Sequence, residues 1–239
     1  MAISEELRSA YAPTGELRVA LNHGNRVLIG RGEGGHPVGI TAELAAMLAD
    51  ELELSYRFVD YERAGDVSGS ATQDAWDVCF LAVDPDRATV IDFTQPYVRI
   101  EGCYLVSEAA AAVSAPEVVE NGLRVGAVKG SAYTLHLARA AGAEKLVQFP
   151  DFRTAMSEFD RGQIDAIAGV RQAMAAEAAL RPGSRLLEPP FMEILQAMGL
   201  PAGRDPAIGH LRNFLAEKSR GGIIGDLLAR NGVARECAL

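Results

Sequence analysis

The sequence predicts an α/β fold built from two lobes, each a mostly parallel β-sheet flanked by helices. Short apolar runs alternate with amphipathic stretches of helical spacing, which is typical of strand–helix–strand units with parallel, buried strands. The same order of elements occurs twice, and the second copy has the lower fidelity. A chain of 239 residues is long enough for each copy to have its own hydrophobic core.

The elements of both copies follow from the spacing of apolar residues. A short helix is predicted over residues 4–10. One face of the helix after the first strand is apolar, with Thr41 as its predicted N-cap and Leu44, Met47, Leu48 and Leu52 as its apolar residues. The predicted strands are 17–21, 56–59 and 76–83 in the first copy, and 123–128, 145–149 and 164–170 in the second.

A glycine-rich segment, Gly30–Gly35, invites comparison with a phosphate-binding loop. No Gly-Lys-Ser or Gly-Lys-Thr follows it, and no helix begins on the glycines. We therefore predict a hairpin loop at this position.

Charge and composition argue against nucleic acid and metal as binding partners. The net charge is −9, and the chain has no dense stripe of Lys and Arg of the kind that nucleic-acid-binding proteins carry. Cys79, Cys103 and Cys237 lack the spacing of metal ligands, and the histidines form no cluster. We predict buried thiols at Cys79 and Cys103, no metal site and no cofactor.

The sequence leaves the cellular location open between two alternatives. No stretch approaches the roughly 20 apolar residues needed to cross a bilayer. The first residues show no basic region followed by an apolar run, so no secretory signal is predicted in this chain. The protein is then cytoplasmic, or it is exported and a signal has been removed.

The most specific stretch is Ala82–Tyr97, which begins in the third predicted strand. It contains a short acidic turn, Arg87, and then Asp-Phe-Thr-Gln-Pro-Tyr. Ligands bind outside the carboxyl ends of parallel strands, so Arg87 is expected where a solute would bind. Its guanidinium stays ionised and offers a planar fork that matches a carboxylate. The alternative is a surface ion pair with Asp84 or Asp86.

This arrangement resembles the signature of the family 3 solute-binding proteins, the polar amino-acid receptors of ABC importers. The likeness extends from Leu17 to about Gly232. Within it, Gly39–Ala45 resembles the family's Gly-Phe-Asp-x-Asp-Leu-Ala, residues 123–132 resemble its second-lobe opening, and residues 205–232 resemble its C-terminal helices.

The resemblance implies a Venus-flytrap fold of the type II periplasmic binding proteins. Lobe 1 would comprise residues 1–106 plus 190–239 and lobe 2 the inserted residues 107–189, with the ligand cleft between them. The implied protein is a periplasmic monomer that closes on a small carboxylate-bearing solute. Its implied partners are ABC permease subunits, if the protein is exported.

Carried over residue by residue, the resemblance assigns Arg87 to the α-carboxylate of the ligand. Ser131 lies in the second-lobe turn that supplies hydroxyl and backbone N–H groups. Asn22 falls where the family often has an acidic or polar residue at the end of the first strand. Tyr61 falls near the aromatic residue that packs on the ligand, although a core position is equally compatible with the sequence.

Departures from the family pattern bear on the ligand. Ala82 stands where a Ser or Thr hydroxyl binds the carboxylate, and Val170-Arg171 stand where an Asp pairs with the α-ammonium. A buried ammonium without a carboxylate partner is costly. If Arg171 points into the cleft it favours a second anionic group, and Gln196 could hydrogen-bond a polar edge of the ligand. We therefore expect a small organic anion without a free α-ammonium; the alternative for Arg171 is a solvent-exposed residue at a helix start.

Two other functions stay open from the sequence. Cyclohexadienyl dehydratases resemble the same fold, and Glu193 or Glu62 would then be candidates for the catalytic acid. A cytoplasmic or receptor-linked sensory domain would share the ligand site and differ only in its partner. Binding is favoured over catalysis, and no Ser-His-Asp order, CxxC or HExxH motif indicates any other chemistry.

Overall fold

The computed structural model describes residues 3–239, and the chain divides into two compact units. Unit 1 contains the chain up to Arg99 together with Leu195–Leu239, and unit 2 contains Ile100–Ile194. Unit 2 is therefore an insertion in the sequence of unit 1. The sequence predicts 107–189 for this insertion, which starts seven residues later and ends five residues earlier than unit 2.

The first segment of unit 1 alternates helices with strands and contains one small hairpin. Its elements are α1 (Glu5–Tyr11), β1 (Leu17–Asn22), β2 (Gly30–Arg31), β3 (Pro37–Val38), α2 (Ile40–Leu52), β4 (Tyr56–Tyr61), α3 (Ala64–Gly69), β5 (Val78–Ala82), β6 (Ile91–Phe93) and the first residues of β7 (Val98–Val106). β2 and β3 pair antiparallel, which confirms the hairpin predicted for the glycine-rich segment.

Unit 2 repeats the alternation, and the chain then returns to unit 1. The elements of unit 2 after β7 are α4 (Ala115–Glu120), β8 (Val125–Val128), α5 (Ala132–Ala138), β9 (Leu146–Phe149), α6 (Phe152–Asp160), β10 (Ala166–Val170), α7 (Arg171–Ala179) and β11 (Arg185–Leu186). The returning elements are β12 (Met192–Pro201), α8 (Ala207–Arg220) and α9 (Ile223–Arg230).

The sheet of unit 1 has the strand order β4-β1-β5-β12. β1 lies parallel to β4 and β5, whereas β12 pairs antiparallel with β5 and with β6. β1 and β5 are buried along almost their whole length, as expected of strands that are covered on both faces. The carboxyl ends of the parallel strands, at Asn22, Tyr61 and Ala82, therefore meet at one edge of this sheet.

The start of α2 differs from the sequence prediction. Its N-cap is Gly39 and not Thr41, so that prediction is wrong. Gly39 has a φ of 117°, and a Cβ at this position would lie 2.6 Å from the carbonyl oxygen of Leu28. Only glycine fits such a backbone, and Thr41 is instead buried in the first turn. The predicted apolar face is confirmed by full burial of Leu44, Leu48 and Leu52, with Met47 half-buried.

The sheet of unit 2 has the order β7-β10-β8-β9, with β11 beside β7. β10 is antiparallel to β7 and parallel to β8, and β8 is parallel to β9. Alternate residues of β7 point to opposite faces, so Tyr104 and Val106 belong to one apolar cluster and Leu105 to another. The fold class predicted from the sequence is confirmed.

An arginine–aspartate ion pair of the same geometry occurs within each unit. In unit 1, Arg18 of β1 binds Asp77, and in unit 2 Arg124 binds Asp165. In each pair the arginine main-chain N–H and Nε donate to one carboxylate oxygen and Nη2 donates to the other, at 2.8–3.0 Å. The duplication therefore extends to an ion pair, which links β1 to the start of β5 in unit 1 and the start of β8 to the start of β10 in unit 2.

Three further expectations concern the cysteines, membrane-spanning helices and metal ligands. Cys79 and Cys103 are buried thiols outside any disulfide, as predicted. In the described part of the chain, no helix is long and apolar enough to cross a membrane. Across residues 3–239, no group of three or more His, Cys, Asp or Glu side chains could hold a metal ion.

Candidate functional site

Arg87 lies just beyond the carboxyl end of β5, in a 3₁₀ turn over Arg87–Thr89. Its Nη1 donates a hydrogen bond of 2.9 Å to the carbonyl oxygen of Ala82, the last residue of β5. Arg87 is only 3% exposed, so its charge is held away from bulk water.

The surroundings of Arg87 contain a compensating carboxylate. Burial lowers the pKa of the Arg87 guanidinium, while the charge of Asp84 raises it. Asp84 is itself buried, and its Oδ1 accepts a hydrogen bond of 2.9 Å from the main-chain N–H of Asp86. An arginine stays protonated at neutral pH despite such a shift. The end of β5 therefore has a buried cation with a buried anion near it.

Gln196 of β12 stands directly opposite Ala82 of β5. The next pair along these two strands, Val83 and Leu195, is hydrogen-bonded: the main-chain N–H of Val83 donates to the carbonyl oxygen of Leu195 at 2.8 Å. Ala82 and Gln196 are therefore a non-hydrogen-bonded pair, in which Cβ atoms stand about 4.5–5.5 Å apart and side chains are closest. Both residues are 4% exposed. The structure thus brings together three predicted site residues, Ala82, Gln196 and Arg87.

Asn22 and Tyr61 lie on adjacent parallel strands at the same edge of the unit 1 sheet. The side-chain oxygen of Asn22 accepts a hydrogen bond of 3.1 Å from the main-chain N–H of Gly24. The Tyr61 hydroxyl accepts one of 3.0 Å from Ser70, and Ser70 accepts one of 3.1 Å from the Trp76 indole. Tyr61 also packs against the apolar cluster that contains Trp76, as in the core alternative. Its contact with a ligand stays a prediction.

Ser131 is the N-cap of α5 in unit 2, in the turn where the sequence placed it. Its Oγ accepts from the main-chain N–H of Thr134 at 3.2 Å and lies 2.7 Å from the Thr134 hydroxyl. The Thr134 hydroxyl donates to the carbonyl oxygen of Val128, so the Ser131 proton is directed to Thr134. The side chain of Ser131 is thus engaged in capping, and its predicted role in ligand binding stays a prediction.

Arg171 is the first residue of α7, and its guanidinium contacts two carboxylates of unit 2. Nη1 and Nη2 donate to the two oxygens of Glu188 at 2.6 and 2.9 Å, and Nε donates to Glu101. These hydrogen bonds from Arg171 hold the pKa of Glu188 below its ordinary value. One positive and two negative groups give this cluster a net charge of −1. That Arg171 contacts an anionic ligand stays a prediction, and such a ligand would meet a cation that already has two carboxylate partners.

The partners of Arg171 were missed by sequence analysis. Glu101 and Glu188 lie 70 and 17 residues away from it along the chain. The antiparallel register of β7 and β10, which sets Gly102 opposite Val170, brings Glu101 to the start of α7. The one signal that could have pointed to Glu101 is its place as the single acidic residue of β7, in which every residue after it is uncharged.

A comparison with protein families identifies the chain. The family model for bacterial extracellular solute-binding proteins, family 3, matches residues 17–198, which is more than half of the chain. The protein belongs to this family. The membership predicted from the sequence is thereby confirmed. No curated protein matches the chain.

Solved structures similar to this family 3 protein share its fold. A mutant of the arginine-binding protein from T. maritima is 20% identical and has a TM-score of 0.77, and the alignment covers 94% of this chain and 98% of that one. An amino acid ABC transporter substrate-binding protein from Streptococcus pneumoniae, bound to L-arginine, is 20% identical with a TM-score of 0.77 and coverages of 93% and 97%. An ancestral amino acid-binding protein described as a precursor of cyclohexadienyl dehydratase is 19% identical with a TM-score of 0.76 and coverages of 95% and 99%. These identities establish the likeness of fold alone.

The two carboxylates considered as catalytic acids are both exposed. Glu62 follows β4 in unit 1, and Glu193 lies in β12. A carboxylic acid that donates a proton near neutral pH needs a raised pKa, for which burial in apolar surroundings is the usual cause. Neither residue has such surroundings in this family 3 protein.

Proposed function

We propose that this protein binds a small carboxylate-bearing solute, an amino acid or a related organic anion, as the solute-binding component of an ABC importer. The observation that carries the proposal is the position of Arg87 at the carboxyl end of β5, where it is 3% exposed and hydrogen-bonded to Ala82, the residue that stands opposite Gln196. Charge-assisted hydrogen bonds from a guanidinium to a carboxylate are stronger in such low-dielectric surroundings than in water. The family match supports the same function.

Arg87 is the proposed anchor of the solute, and a second arginine is not required. Arg171 already binds Glu101 and both oxygens of Glu188. A preference for a ligand without an α-ammonium would depend in part on Arg171 acting as an uncompensated cation. With two carboxylates beside Arg171, amino acids and organic anions are both candidates. The similarity to proteins named for arginine or amino acid binding favours amino acids as the first solutes to test.

Two measurements test the proposal. Mass spectrometry of the small molecules released on denaturing the purified protein identifies any solute retained from the cell. A thermal-shift panel then compares L-alanine with pyruvate, L-valine with 2-oxoisovalerate, L-glutamate with 2-oxoglutarate, and L-arginine with L-glutamine. A solute at 100 times its Kd stabilises the folded state by about 2.7 kcal/mol, which moves Tm by several degrees in a domain of this size. A protein that retains no small carboxylate and shows no shift with any of these compounds would contradict the proposal.

Chemical analysis of the solute after incubation distinguishes a binding protein from an enzyme. We expect the bound compound to be recovered chemically unchanged after prolonged incubation with the protein. Loss of water from that compound during incubation would instead support the dehydratase alternative. The importer role, with permease subunits as partners, predicts that cells lacking this protein take up the identified solute more slowly.

A further inference from the structure

We propose that Gln196 is a specificity-determining residue that donates a hydrogen bond from its side-chain amide to a carboxylate oxygen of the solute anchored by Arg87. This inference rests on the proposed function and adds a second recognition group to it. It also narrows the class of solutes, since the group that binds here must accept a hydrogen bond from an uncharged amide.

The first observation is the state of the Gln196 amide. Gln196 is 4% exposed, yet its side chain makes no hydrogen bond to any other residue within the described range 3–239. The amide is not fully enclosed and keeps a narrow access to solvent. A largely buried amide without a protein partner is unfavourable and is stabilised by any acceptor that reaches it.

The second observation is the position of this amide relative to Arg87. Ala82 accepts the Arg87 hydrogen bond through its carbonyl oxygen and faces Gln196 across the β5–β12 pair. The Ala82 side chain has no polar atom and is too small to separate the two donor groups. In the proposed arrangement, the solute carboxylate lies over Ala82 and accepts from the guanidinium and the amide together.

The third observation concerns charge. Asp84 is buried near Arg87, so much of the field of the guanidinium is already offset at this edge of the sheet. A further cation beside a compensated arginine would need its own counterion in a low-dielectric site. A neutral amide adds a donor without that requirement, which is the physical reason for glutamine here.

Calorimetry on the full chain tests the proposal with the best binder of the named thermal-shift panel as the probe. Gln196→Met keeps the length of the side chain and removes both donors, and we expect a loss of affinity of about tenfold to a hundredfold. Gln196→Glu keeps the shape but places a negative charge near the solute carboxylate, and we expect a larger loss. Gln73→Met, at an exposed glutamine of the same unit, is the matched control and should bind like the parent.

A rescue experiment adds a readout that a purely structural role would not give. Ala82→Ser places a hydroxyl donor beside residue 196. In the Gln196→Met background it should restore affinity at least threefold, whereas in the parent it should change affinity little, because coupled neighbours are not additive. Equal effects of Ala82→Ser in both backgrounds would overturn the inference.

The outcomes separate the inference from the proposed function. If the parent binds a carboxylate probe and Gln196→Met or Gln196→Glu binds it equally well, the inference on Gln196 is wrong and the proposed function stands. If no probe binds the parent, the proposed function fails, and the inference that depends on it fails too.

Discussion

Arg18 and Asp77 form a bidentate ion pair inside unit 1, with Nε and Nη2 each 2.9 Å from one carboxylate oxygen. Asp77 is fully buried, and Arg204 donates a further hydrogen bond to it at 2.8 Å. Replacing Asp77 with Asn removes the buried carboxylate that the two arginines share and leaves them only the largely exposed Asp74 as a common counterion within the described residues. We expect the free energy of unfolding, measured by urea denaturation, to fall by about 3–5 kcal/mol.

Unit 2 supplies the matched control for this prediction. Arg124 binds Asp165 with the same three contacts, but these side chains are 46% and 33% exposed. Asp165→Asn should therefore lower the free energy of unfolding by about 1 kcal/mol or less, because water screens the pair. Equal losses in Asp77→Asn and Asp165→Asn would show that burial does not set the strength of this contact.

His210 makes the stability of unit 1 dependent on pH. Its Nδ1 lies 3.1 Å from the Tyr11 hydroxyl and its Nε2 lies 3.4 Å from Glu51, which also pairs with Lys218 at 3.3 Å. Burial lowers the pKa of His210, and the charge of Glu51 partly opposes this. The folded state thus binds the His210 proton less tightly than the unfolded state, whose pKa is about 6.5.

The sign of the pH effect follows from this difference. The contribution of His210 to stability is complete above the unfolded pKa of about 6.5, begins to decline below it, and is lost as the pH falls through the lower pKa of the folded state. We expect the free energy of unfolding of the parent to decline more steeply between about pH 7.5 and 5.5 than that of His210→Asn. Parallel curves for the two proteins would mean that His210 does not titrate differently on folding.

Arg87→Ala should weaken binding of a carboxylate solute by at least about 1.5–3 kcal/mol, the value of a hydrogen bond to a charged group. Calorimetry with the best probe of the panel measures the loss. The control is Arg57→Ala, since Arg57 is half-exposed in β4 and pairs with Glu16 at 3.2 Å. Unchanged affinity in Arg87→Ala would return Arg87 to a structural role, with Asp84 as its partner.

Arg171→Ala should affect stability more than binding. Its bidentate contact with Glu188 is partly exposed, so we expect a decrease of about 1 kcal/mol in the free energy of unfolding. Glu188→Gln removes the same ion pair and should produce a similar decrease. We expect both variants to bind the solute within threefold of the parent affinity. A tenfold loss in Arg171→Ala alone would support Arg171 as a second anion contact and contradict a single arginine anchor.

Sequence reasoning succeeded where the deciding contacts are close along the chain. Arg87 lies five residues after Ala82, so its position at the end of a strand could be predicted from the strand alone. The apolar face of α2 follows from helical spacing in the same way. The prediction of Thr41 as the N-cap of α2 failed because the backbone at Gly39 is constrained by the carbonyl oxygen of Leu28. That contact joins residues eleven positions apart, so the residues around Thr41 do not reveal it.

The sequence by itself determined the repeated alternation of strands and helices, the edge of the sheet at which Arg87 lies, and the family, because each depends on spacing between near neighbours. Only the tertiary structure decided that Gln196 stands beside Ala82, since that pairing depends on the antiparallel register of β5 and β12. It also decided that the Arg171 guanidinium donates hydrogen bonds to Glu101 and Glu188. Strand register is set by which faces the whole sheet buries, and a single segment does not contain that information.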